Sequence, residues 1–443
     1  MATLLCARIG FVLHLSIRPR CWLTLLLGVF LSCCLSAADG WRDPEFDKVP
    51  FADWLAGGPQ TQLKWSERIQ PVILSVHQRL LARLQIQLDG AEAAKRRGEG
   101  KLMFYFQITD SKGRVYQDHT AYDLEKVEAG LKAQDLVCTE SVFVLPGDYL
   151  VALGIYDTAT KEHAVKKGKL HVPPMKIEPL PDAWRDLPPV EFVEAVEPPD
   201  RWFAPKVQGK LNLPVAPKHP VQIDVILNLT PSESGRRPFG AQDRNFSVLI
   251  PSLKVLSQLN APNVSLNVSL LDVSRRRVVF HQEDIHELDW DKMKSSLSDA
   301  TSGSIDVKSL ADRRHNGAFF VKEVARRVAP GHVVIVLSGP MVFDSEQELP
   351  GDLKASPDSH LYYLRAQSAP SRRTIFGGPG AGPPRGGTLG RARMPGGEQT
   401  FVPLESDQLE PMLKPLDPKL FDVLSAEQFR KALATMISEI GSL

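Results

Sequence analysis

Beyond residue 38 the chain has a single cysteine, Cys138, because Cys6, Cys21, Cys33 and Cys34 all lie before that point. That remainder can form no internal disulfide, so its apolar cores alone must stabilise it. Charge of one sign is also lacking. Lys and Arg number 53 against 52 Asp and Glu, a net charge of +1, which excludes a nucleic-acid binder that works by bulk charge. No apolar run reaches the ~20 residues of a bilayer span. The longest, residues 21–35, has 15. The Gly-x-Ser-x-Gly elbow of serine hydrolases is missing, as is the Gly-Lys-Ser/Thr ending of a phosphate loop. What is present is ordinary for a globular protein: 43% apolar and 24% charged residues over 443 positions, enough for two or three domains.

The first 38 residues read as an export leader. Arg8, Arg18 and Arg20 supply positive charge, no acid precedes Asp39, and Ser36, Ala37 and Ala38 are small residues before a cleavage point. The expected location is therefore periplasmic or secreted. An uncleaved leader retained as an anchor is the alternative, and Leu31-Ser32-Cys33-Cys34 has a faint likeness to a lipidation box.

Residues 39–74 lack a clear period and are expected to form an N-terminal arm. From about residue 75 the pattern is one of strands. Leu84, Ile86 and Leu88 alternate with polar residues, residues 101–109 are rich in aromatics, and 149–156 are apolar on both faces. Residues 91–98 read as a loop and 123–133 as a short helix. Short strands separated by turns predict an immunoglobulin-like all-β sandwich over 75–172. Nine of the 35 prolines fall in 173–205, which predicts an extended spacer between two domains. From Val221 strands alternate with helical patterns, including an amphipathic segment from Asn316 and a final helix starting at Ser425, with Gln428 in the capping-box position. The expectation is an α/β, Rossmann-type domain over 206–443. Within it, 366–398 carries five arginines among glycines and prolines and reads as a disordered insertion.

Three places invite a chemical reading. After the first α/β strand come Asn228, Thr230 and Ser232. In the von Willebrand factor A fold this position carries Asp-x-Ser-x-Ser, the core of a metal-ion-dependent adhesion site. Mg²⁺ needs hard oxygen ligands with at least one carboxylate. Here the leading Asp is Asn228, and the later strand ends in Ser338 and Gly339 where a second carboxylate is expected. The site therefore reads as degenerate and metal-free. The second place is the cluster His281, Glu283, Asp284, His286, Glu287, Asp289 and Asp291. It reads as an acidic connection whose last acids favour a helix N-terminus, with a metal-dependent hydrolase as the alternative if His315 or His332 converges on it. The third is Cys138, which reads as a buried inert thiol. The sequons at Asn228, Asn245, Asn263 and Asn267 read as chance occurrences.

The leader, residues 143–149 (FVLPGDY), the proline-rich stretch, residues 221–232 and residues 332–340 together resemble the secreted bacterial proteins called von Willebrand factor A-related. The resemblance covers about 78–443. It implies a sandwich followed by an A-like domain in an exported protein without established activity. The expectation is a non-enzymatic protein that binds a protein partner, with no nucleic acid and no membrane beyond a retained leader. No cofactor is expected, with Mg²⁺ or Mn²⁺ as the alternative in a metal-dependent adhesion domain.

Overall fold

The computed structural model describes residues 49–126, 134–193, 207–230, 232, 241–260, 263–302, 312–351, 353–367 and 406–443. The leader and the insertion expected at 366–398, apart from Ala366 and Gln367, lie outside the described residues. The chain divides into two units, 1–58 and 59–443. In the first, Phe51–Leu55 forms a short helix, α1, that buries Phe51 and Trp54.

The second unit begins with antiparallel strands. These are β1 (Trp65–Ile69), β2 (Ile73–Leu74), β3 (Leu80–Leu88), β4 (Lys101–Thr109), β5 (Val115–Asp123), β6 (Leu136–Val144), β7 (Gly147–Asp157), β8 (His163–Val172) and β9 (Val190–Phe192). One sheet runs β1-β3-β6-β9, with β2 also on β3, and the other runs β5-β4-β7-β8. Ala82, Leu84, Ile86 and Leu88 of β3 are fully buried against Phe104, Phe106, Val151, Leu153 and Ile155. Each such leucine or isoleucine contributes about 1.5–3 kcal/mol by leaving water, so this period-2 row holds the two sheets together.

The expected arm was drawn too long, because β1 and β2 belong to the sandwich. The charged loop expected at 91–98 starts instead as a helix, α2 (Gly90–Lys95). Its N-cap Asp89 accepts from the amides of Ala91 and Glu92, which repays orphan donors of the first turn. Of the helix expected at 123–133, Leu124–Lys126 is a 3₁₀ turn and the rest is outside the described residues.

The spacer expectation is corrected as well. Ala183 and Leu187 are buried in the core of the α/β part, Trp184 packs on both cores, and β9 adds a strand to the sandwich. Proline density blocks regular structure but does not prevent packing. Here the apolar residues between the prolines fill the junction of the two layers.

The α/β part contains β10 (Leu213–Pro214), β11 (Val221–Asn228), α3 (Ala241–Leu256), β12 (Leu259–Asn260), β13 (Val264–Asp272), β14 (Arg277–Gln282) and α4 (Trp290–Ser302). After these come α5 (Asn316–Ala325), β15 (His332–Ser338), β16 (His360–Ala366), α6 (Leu409–Leu413), β17 (Lys419–Val423) and α7 (Ala426–Ser442). Its sheet runs β14-β13-β11-β15-β16-β17, and only β14 is antiparallel. Numbered within this sheet, the order is 3-2-1-4-5-6, the doubly wound arrangement whose switch point falls between its first and fourth strands. Helices α3, α4 and α7 cover one face through Leu253, Met293, Phe429 and Leu433. Helices α5 and α6 cover the other through Phe320, Val324 and Leu413. Both faces are thus dry, which explains why β11 and β15 are apolar almost throughout. The multidomain, β-rich architecture is evident. No described helix is long and apolar enough to cross a membrane.

Candidate functional site

The carboxyl ends of β11 and β15 meet at the switch point, where ligands of doubly wound sheets usually bind. Asn228 and Ser338 are register partners there, 1% and 0% exposed respectively. The Asn228 side-chain nitrogen donates to Ser338 Oγ at 3.0 Å, and its oxygen accepts from the Thr230 amide at 3.0 Å. Ser338 Oγ in turn donates to the Gly339 carbonyl at 2.8 Å. The Thr230 hydroxyl accepts from the Val273 amide at 2.8 Å, and Ser232 Oγ accepts from the Val342 amide at 2.9 Å. Met341 Sδ lies 3.8 Å from the Asn228 nitrogen.

All three residues expected at a degenerate adhesion site are therefore together, and their polar atoms close the corner on itself. The nearby carboxylate of Asp407 is committed as well. It accepts from the amides of Met341 and Leu409 and from the Tyr363 hydroxyl at 2.8 Å. Burial, with Asp407 alongside, pushes the Tyr363 phenol well above its ordinary range. The arrangement is a buried hydrogen-bonded network in which Asn228, Thr230 and Ser232 are neutral and the one carboxylate at its edge, Asp407, is already engaged.

The acidic and histidine cluster does not come together as one site. His281 on β14 meets Ser269 Oγ at 2.9 Å and Glu283 at 3.0 Å, and Arg327 reaches the same Ser269 hydroxyl. Asp284, His286, Glu287 and Asp291 instead border a cavity. The two histidines named as possible third ligands stand elsewhere: His315 is held by Asp312 and Glu348, and His332 lies 3.6 Å from Asp224. Among the described residues no group of three or more His, Cys, Asp or Glu side chains is placed to hold a metal. Asp289 accepts from the Lys292 amide at 2.9 Å, which is the capping role expected of it.

Cys138 faces the sandwich interior opposite Ile86. Burial, with Glu140 adding to it, pushes its thiol up to about 12. Only the thiolate is an effective nucleophile. A chain beginning at Asp39, in which Cys138 is the single cysteine, is accordingly expected to resist iodoacetamide at pH 8 while folded and to react once unfolded. Rapid labelling of the folded protein would show that this face of the sandwich opens.

The cavity was not foreseen. It measures about 990 Å³ and is lined by residues distant in sequence, including His77, Arg79, Lys254 and Trp290. Arg79 pairs with Glu191, and its guanidinium lies 4.6 Å from the Phe143 ring centroid. Glu191 also accepts from the amides of Gln208 and Gly209 at 2.7 and 3.1 Å. A Cβ at Gly209 would stand 2.7 Å from the Glu191 carboxylate and 2.8 Å from the Arg79 guanidinium, so a side chain there would have to displace this pair. Burial, reinforced by Lys254 and Arg79, lowers His77 to about 4, and burial alone lowers Lys254. No motif announces this site, because its parts come from the β2–β3 turn, residues 207–211, the end of α3, the connection 284–288 and the start of α4, which are far apart in the chain.

No protein-family model matches the sequence, and no curated protein matches it. Structural likenesses are slight. A Northeast Structural Genomics Consortium target, SoR45, is 15% identical with a TM-score of 0.18, covering 27% of this chain and 95% of its own. A structure described as ApaA from Bordetella pertussis is 11% identical with a TM-score of 0.17, covering 26% of this chain and 100% of its own. Likenesses at this level carry no argument about fold or function.

Proposed function

We propose that this chain is an exported, non-enzymatic interaction protein in which a sandwich and a von Willebrand factor A-like domain present surfaces to a protein partner. The doubly wound sheet with one antiparallel edge strand is compatible with that reading. The observation that carries it is the state of Asn228. A carboxamide stands where a dication needs a carboxylate, and both of its ends are engaged by Ser338 and Thr230. Removing charge from a dication site forfeits most of the Coulomb attraction. The hydroxyls that remain are also engaged, Thr230 by the Val273 amide and Ser232 by the Val342 amide. The corner then serves as a rigid seam between the loops after β11 and β15, and recognition falls to the surface around it.

The test is thermal unfolding with and without millimolar Mg²⁺ or Mn²⁺. A ligand at a hundredfold excess over Kd stabilises by about 2.7 kcal/mol, which would be visible as a shift of several degrees. The expected result is no shift with either ion. A clear shift that vanishes in Asn228→Ala would replace this reading with a metal-dependent adhesion domain.

A further inference from the structure

One side of the sandwich is closed by side chains rather than by a strand. β6 pairs with β3 along its length, but β9 covers it only at Val142–Val144. β5 is the last strand of its own sheet and pairs with β4. Among the described residues no further strand spans the seam between residues 136–140 and β5. Register shows what points into it. Cys138 and Glu140 stand opposite the buried Ile86 and Leu84, and Asp118 and Thr120 stand opposite the buried Phe106 and Phe104. Residues paired across a ladder share a face, so all four point toward the core from the two lips of the seam.

These groups are within reach of one another across the sheets. The Thr120 side chain hydrogen-bonds Cys138, and the Asp118 charge acts on both Cys138 and Glu140. The other titratable groups on the inward face of β5 are the phenols of Tyr116 and Tyr122, while β3 and β4 present apolar side chains here. Burial, then Asp118, hold the proton on Glu140 up to about pH 8. While it stays, the carboxyl pair carries one negative charge. Its loss sets two carboxylates against each other in surroundings poorer in water than the surface, where like charges repel more strongly. Separation of the lips admits water and relieves that repulsion. The 136–140 stretch has no outer strand to resist it.

We propose that Asp118 and Glu140 form a pH-operated clasp on the open side of the sandwich, closed while Glu140 is protonated and loosened when the proton leaves, and that Cys138 is the group it uncovers. The clasp is independent of the Asn228 corner and of any partner bound there.

The test is the rate at which iodoacetamide alkylates the folded chain beginning at Asp39, measured from about pH 6.5 to 9.5. The reagent needs the thiolate, which by itself raises the rate about tenfold per pH unit. A clasp that must also lose a proton makes the rise steeper, approaching about a hundredfold per unit below pH 8 and returning to about tenfold above it. The rate is expected to stay below that of the unfolded chain throughout. Glu140→Gln is expected to show the single tenfold slope and to react more slowly than the unaltered protein at pH 9. Asp118→Asn, which removes the repulsion and keeps Glu140, is expected to fall toward Glu140→Gln at that pH. Should a variant fail to fold, amide exchange in the unaltered protein supplies the readout. Exchange at Val137, Cys138 and Thr139, taken as a ratio to that of β7 at the same pH, is expected to rise through pH 8. A single tenfold slope in the unaltered protein, a steep limb that survives in Glu140→Gln, or an exchange ratio that stays constant would each overturn the proposal.

Discussion

Replacing Arg430 with alanine is expected to cost about 3–5 kcal/mol of stability, the usual penalty for breaking one side of a buried ion pair. Arg430 sits on α7 and is 1% exposed. Its guanidinium bonds Glu178 at 2.8 Å and donates to the carbonyls of Gln78 and Leu180 at 3.3 Å each. It also lies 4.6 Å from the Trp184 ring centroid. Those partners belong to the β2–β3 turn of the sandwich and to the proline-rich segment. One side chain of the α/β part thus holds together the two pieces that a spacer would have kept apart. The turn itself reaches back, since Gln78 donates to the Ala426 carbonyl at 3.1 Å and its carbonyl accepts from the Trp184 indole at 2.7 Å.

Denaturant unfolding followed by tryptophan fluorescence and by circular dichroism should show coincident transitions in the unaltered protein. In Arg430→Ala the midpoint should fall and the two signals should separate. Adding Glu178→Gln should recover part of the loss, because the alanine variant strands that carboxylate. A loss under about 1 kcal/mol would mean that the guanidinium is replaced by water at little cost, in the manner of a surface pair.

Glu140→Gln is expected to change the pH dependence of stability more than any other single substitution in the sandwich. Leu136, Cys138, Glu140, Val142 and Val144 alternate along β6, and Glu140 pairs in register with the fully buried Leu84. A carboxyl therefore occupies a core-facing position. Burial pushes it up to about 8, Asp118 adds to the rise, and the Ser141 amide offsets part of it.

The unfolded chain releases this proton near pH 4.5, whereas the folded protein holds it to about 8. Between those values the native state binds the extra proton, so stability is greatest below the lower value and declines as pH rises toward 8. The slope limit is about 1.4 kcal/mol per pH unit. Solvent at this half-buried position reduces the total to roughly 2–4 kcal/mol. His77 acts in the opposite sense. Its folded value near 4 means that its contribution is complete above about pH 6.5 and lost only on acidification. A comparison between pH 7 and 8.5 consequently isolates Glu140. The unaltered protein should lose melting temperature across that interval while Glu140→Gln stays level. Parallel slopes would show that Glu140 is ionised in the folded state and that the sandwich edge admits water.

The linear pattern determined the local elements wherever one period ran for several residues without competition. The alternation of Leu84, Ile86 and Leu88, the apolar runs of β11 and β15, and the Ser425 cap of α7 could each be read from neighbouring residues, because the forces that set them act within a turn or a strand. Asn228 and Gly339 could likewise be seen to lack carboxylates, since charge is a property of the residue itself.

What lay beyond the sequence was set by partners far apart in the chain. Trp65 and Ile69 look like part of an irregular arm until β3 supplies their hydrogen bonds. Val190–Phe192 reads as spacer until the β6 edge takes it up. Asp89 caps a helix inside a stretch whose charges suggest a loop. Tertiary structure alone decided that Asn228 spends both ends of its amide on Ser338 and Thr230, that His281 bonds Ser269 and Glu283 while His286 borders the cavity, and that His77, Lys254 and Trp290 share that cavity. Hydrogen bonding and desolvation depend on which groups the fold brings within about 3–6 Å, and no sequence period encodes that proximity.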